Sequence, residues 1–142
     1  MNKKKLLEIA KWLEAGAKPK CGVVKFDMSD FVWPRKQKKD GSVCGTAACI
    51  AGTACVWEHG PELGHKIATN DIGVFERYGG AFEEGQRILG LTYTQAMDLF
   101  YGGSSVSGSI ELSDITPKWA ARCIRKLVKT GKVDWIGTRT DA

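Results

Sequence analysis

Five cysteines, at 21, 44, 49, 55 and 123, and two histidines, at 59 and 65, are the side chains here most able to hold a metal or attack a carbon. Three of the cysteines crowd into "CGTAACIAGTACVW", Cys44 to Trp57, a stretch with no charged residue. Their spacings are C-x4-C and C-x5-C, whereas thiolate zinc sites use closer pairs converging on one ion. On a helix turning about 100° per residue, successive thiols here point about 140° and 120° apart. They diverge, so no metal site is expected.

Cys44 is a different case. The spacing predicts a helix over Thr46 to Glu58, which places Cys44, Gly45 and Thr46 at its N-terminus. There the unbonded amides and the positive end of the macrodipole stabilise an anion. A thiol so placed gains thiolate character, the chemistry of a Cys44-dependent hydrolase or transferase. His59 lies at the far end of the same predicted helix, about 20 Å away, and cannot be its base. That leaves His65 alone, so Cys44 is only a weak catalytic candidate. The same three residues equally suit a bound phosphate or carboxylate without any reaction.

Other residues fit such an anionic, nucleotide-like ligand. From Trp33 to Lys39 one aromatic is interleaved with Arg35, Lys36, Lys38 and Lys39, a pattern that combines base stacking with phosphate attraction. In "ERYGG" at 76–80, Arg77 and Tyr78 form a second stack-and-bind pair. The candidate ligand set is therefore Trp33, Cys44, Gly45, Thr46, Arg77 and Tyr78. "GGSSVSGS", at 102–109, lacks the strand, lysine and helix of a phosphate loop and reads as a plain loop. Arg122, Arg125, Lys126 and Lys129 fall on one side of the last predicted helix and read as a solvated face.

These residues need a scaffold. The chain has 142 residues, 43% of them hydrophobic and 26% charged, with a net charge of +5, which suits one soluble domain over 1–142. The N-terminal "MNKKKLLEIAKWLEAG" is interrupted by charges and is not an export signal, and no apolar run approaches the ~20 residues that span a bilayer. A cytosolic location is expected, with thiols rather than a disulfide framework and with no cofactor.

The elements follow from periodicity and punctuation. Leu6, Ile9, Ala10 and Leu13 define an amphipathic helix ending before Gly16. Residues 22–33 read as a minor extended or β element, and "PRKQKKDGS" as a basic loop. The uncharged helix 46–58 is apolar all round and must be enclosed on every side, with Cys49 and Cys55 in the core. Phe82, Ile88 and Leu89 line the next helix, which ends at Gly90. Thr92 and Gln95 have capping-box spacing ahead of a helix from Tyr93 to Tyr101. Thr116 and Pro117 open the last helix, and Gly131 closes it. The expected fold is mainly α, a single helical domain around a buried central helix.

Four blocks also occur in a fixed order: "FDM" at 26–28, "CGTAACIAG" at 44–52, "ILGLTYTQAMDLF" at 88–100 and "TPKWAARCIRKL" at 116–127. This order resembles a group of small phage and prophage accessory proteins with the pattern FDM…CGTxxCxxG…LGL…LF…TPxxAAxxI. The resemblance implies a phage accessory protein in a bacterial cytosol and brings no catalytic residues with it; an anti-defence role is part of the functional expectation. The expected function is non-enzymatic binding of an anionic, nucleotide-like small molecule or a host protein. The alternatives are Cys44 catalysis, host-protein inhibition and nucleic-acid binding, the last not favoured; no membrane contact is expected.

Overall fold

Helix ends leave backbone donors and acceptors without intrahelical partners, and this chain supplies partners at several of them. In the computed structural model, which describes residues 1–20, 23–26, 28, 32–37, 43–60, 81–101 and 112–139, the Asn2 side chain accepts from the Lys5 amide at 3.2 Å and opens α1, Lys3–Glu14. The mouth of α4, Tyr93–Tyr101, is the reciprocal box its sequence predicts. The Thr92 amide donates to Gln95 Oε1 at 3.0 Å, and the Gln95 amide to Thr92 Oγ1 at 3.1 Å. Thr116 Oγ1 accepts from the Trp119 amide at 3.2 Å to start α5, Pro117–Thr130. Gly131 ends that helix at φ +77°, a left-handed conformation that strains any residue with a Cβ.

The remaining elements are β1 (Val23–Phe26), β2 (Val32–Gln37), β3 (Val43–Ala48), α2 (Ile50–His59), α3 (Ala81–Leu89) and a short 3-10 turn at Leu112–Asp114. The fold is mainly helical. Its extended part is a three-stranded sheet ordered β1-β3-β2, with β3 parallel to β1 and antiparallel to β2.

The sheet corrects the sequence reading at two places. Residues 44–48, expected to lead into or form a helix, are the central strand, and α2 begins only at Ile50. The physical reason is that β3 has a strand on each side to satisfy its amides and carbonyls, whereas residues at a helix start have no such ladder. Pro34–Gln37, expected to be loop, belongs to β2. Proline is tolerated there because, among the described residues, β2 is an edge strand with one neighbour. The predicted loop at 102–109 and the segment 61–78 lie outside the described residues.

One hydrophobic cluster joins these parts. α1 contributes Leu6, Ile9, Ala10 and Leu13, and α5 contributes Ala120, Cys123, Ile124 and Leu127, all buried. α2 is enclosed from Ile50 to Val56, as its uncharged sequence requires. It crosses α3 closely, since a Cβ added to Gly85 would lie 3.0 Å from the Ala51 Cβ. Beyond α5, the chain folds back to bury Trp135, whose indole N–H donates to the Asp98 carbonyl at 2.7 Å. The Trp135 carbonyl in turn accepts from the Trp119 indole at 2.9 Å, tying the C-terminal turn to both α4 and α5.

Candidate functional site

Sheet pairing sets two of the predicted binding segments side by side. Trp33 on β2 is in register with Ala47 on β3, Pro34 with Thr46, Lys36 with Gly45 and Gln37 with Val43. Neighbouring strands lie about 4.8 Å apart, so the Trp33–Lys36 backbone runs alongside Gly45 and Thr46 at that distance. The register shifts between Pro34 and Lys36 and again between Lys36 and Gln37, so the pairing is irregular around Arg35 and Lys36. On the far side of β3, Val23 of β1 is the partner of Thr46. Arg77 and Tyr78 lie outside the described residues, so the set is united only for Trp33, Cys44, Gly45 and Thr46.

Cys44 does not occupy a helix N-terminus. It is the second residue of β3, and no macrodipole acts on it there. The cysteine that caps α2 is Cys49, whose sulfur accepts from the Gly52 amide at 3.5 Å and which is buried. The expected anion mouth at Cys44, Gly45 and Thr46 is thus replaced by a strand segment, and its support for thiolate chemistry at Cys44 is lost.

A second constellation was not legible from spacing alone. At the C-terminal end of α2, His59 Nε2 lies 3.4 Å from Glu84 Oε1 on α3, with Cys55 one turn earlier on the same helix. Glu84 is only 3% exposed, and Arg87 Nε donates to the same Oε1 at 2.6 Å. Thiol, imidazole and carboxylate together are the parts of a nucleophilic triad. The thiol, however, is held in the neutral form: burial pushes the Cys55 pKa far up, and the negative charge of Glu84 pushes it further. The His59–Glu84 contact ties α2 to α3. The sequence signal for it was the i, i+3 pair Glu84–Arg87.

The basic side of α5 is more engaged than a solvated face. Arg125 makes a two-pronged pair with Glu14, both contacts at 2.6 Å, and holds that carboxyl below its usual range. Lys126 pairs with Asp134 at 2.6 Å, and Arg122 donates to the Thr138 carbonyl at 2.8 Å. Among the described residues, no group of three or more His, Cys, Asp or Glu side chains is placed to hold a metal, and no helix is long and apolar enough to cross a membrane.

The chain matches no protein-family model, no curated protein and no solved structure.

Proposed function

We propose that this chain is a phage-type accessory protein with an anti-defence role, acting by binding and without catalysis, and that its ligand is an anionic, nucleotide-like small molecule held along β2 and β3. The observation that carries this is the antiparallel register that sets Trp33, Arg35 and Lys36 against Gly45, Thr46 and Ala47. An indole offers a stacking surface to a base, and two cations offer charge to a phosphate. The net charge of +5 favours the same class of partner. Arg77 and Tyr78 belong to the proposed contact set through their sequence pattern.

Binding is preferred to reaction because, among the described residues, neither thiol arrangement considered above gains support. Cys44 lies in a strand, and Cys55 is buried beside a carboxylate. A thermal-shift panel of nucleotides and cyclic dinucleotides tests the reading. At 100 times its dissociation constant a ligand adds about 2.7 kcal/mol, which is roughly 5–10 °C for a chain of this size. The double variant Arg35→Gln, Lys36→Gln is expected to weaken that ligand at least about tenfold, the loss of one charged contact. A flat response across the panel, or full retention by the double variant, refutes the proposal. Binding of long nucleic acid in place of small nucleotides, with a steep fall in affinity as salt rises, refutes it in favour of a nucleic-acid reading.

A further inference from the structure

Apart from the residues of the proposed ligand site, a cleft of about 100 Å³ opens between α1, α2 and α3. Its floor is apolar and buried, formed by Ile9, Ala54, Ile88 and Leu89. Trp57 forms one wall, edge-on to Trp12 and with its indole N–H donating to the Lys20 carbonyl at 3.3 Å. The rim is charged and carries both signs: Lys5 and Glu8 from α1, and Glu58 from α2.

Lys5 and Glu58 form an ion pair across this rim, the one recorded between α1 and α2 among the described residues. Their side chains are 36% and 38% exposed, so the pair is an exposed bridge of small net worth and opens readily. The charges then select what enters. A purely cationic ligand would take the carboxylates and leave Lys5 without its partner. A purely anionic one would take Lys5 and leave Glu58 without its ion-pair partner. A zwitterion exchanges one ion pair for two: its ammonium meets Glu58 and Glu8, and its carboxylate meets Lys5.

Size narrows the choice further. A dry cavity of about 150 Å³ accommodates a benzene ring, so the smaller floor here suits a branched aliphatic group and not an indole. We propose that this cleft is a binding site for a free aliphatic α-amino acid, of leucine size or smaller, with its side chain on the apolar floor and its two charges exchanged into the Lys5–Glu58 pair.

The test uses the full chain and four probes: L-leucine, 3-methylbutylamine (leucine without its carboxylate), 4-methylpentanoate (leucine without its ammonium) and L-tryptophan. L-Leucine is expected to raise the melting temperature saturably, by about 3 °C at ten times its dissociation constant. The other three are expected to give less than about a third of that shift at equal concentration. Lys5→Gln and Glu58→Gln should each weaken leucine at least about tenfold. A fold-independent arm follows the Trp57 indole N–H resonance of the unmodified protein, which should move with leucine and not with the single-charge analogues. An inert leucine, an equal response to either single-charge analogue, or an unmoved Trp57 signal overturns the proposal. Because the cleft shares no residue with β2 or β3, Arg35→Gln, Lys36→Gln should leave the leucine response intact, so failure of one site is distinguishable from failure of the other.

Discussion

Replacing Gly85 with alanine sets two opposed effects against each other at the crossing of α2 and α3. Helix propensity alone favours alanine over glycine by about 1 kcal/mol. Packing opposes it: the new Cβ would lie 3.0 Å from the Ala51 Cβ, 3.1 Å from the Ala51 Cα and 3.3 Å from the Phe100 ring. Overpacking of this kind costs about 1–3 kcal/mol. The two nearest atoms have no rotamer through which to swing away, so the upper half of that range applies. The net expectation for Gly85→Ala is a loss of about 1–2 kcal/mol, a fall in melting temperature of roughly 3–6 °C. Urea denaturation followed by circular dichroism measures it. Ala51→Gly removes the obstructing Cβ at a propensity cost of about 1 kcal/mol, and the double variant should be more stable than the summed single effects by about 1–2 kcal/mol. A Gly85→Ala protein stabilised by the full propensity gain, or a double variant that is simply additive, refutes the close crossing.

Two further outcomes follow from buried groups. Among the described residues, the Thr53 hydroxyl is buried with no hydrogen-bond partner, so the isosteric Thr53→Val should stabilise the protein by about 1 kcal/mol in denaturant titration; a loss of stability refutes this account of the site. Burial pushes the Cys123 thiol from an ordinary 9.0 up to about 12, partly offset by hydrogen bonds with the Asp134 backbone and the Thr138 side chain. The folded state therefore keeps a proton that the unfolded chain releases, so this contribution is intact below pH 9 and is lost as pH rises toward 12, with a slope of about 1.4 kcal/mol per pH unit. Cys123→Ala should flatten the alkaline fall in unfolding free energy, and an unchanged slope refutes the assignment.

The helices with clear punctuation were legible. Leu6, Ile9, Ala10 and Leu13 mark α1, the Thr92–Gln95 box opens α4, and Thr116, Pro117 and Gly131 bound α5. All are local signals that tertiary packing did not override. The start of α2 is hard to read because "CGTAACIAG" carries no charge to set a period and, within the strand, only Thr46 of the branched and aromatic residues that mark strands. Residues 43–48 are a strand because β1 and β2 flank them, a pairing between segments that no periodicity within 43–48 announces. For the same reason, Trp33 and Gly45 are candidate contacts by residue type, while their alignment on neighbouring strands is set by the pairing. Glu84 carries only the i, i+3 spacing to Arg87 as a signal, and its burial is not legible because a glutamate in the first turn of a helix ordinarily stays in water.

A single residue, Cys49, separates the last residue of β3 from the first of α2. So short a joint makes the end of the strand and the start of the helix near neighbours along the backbone, and a shift of β3 would reach the packing of Ala51 on Gly85 through that one residue.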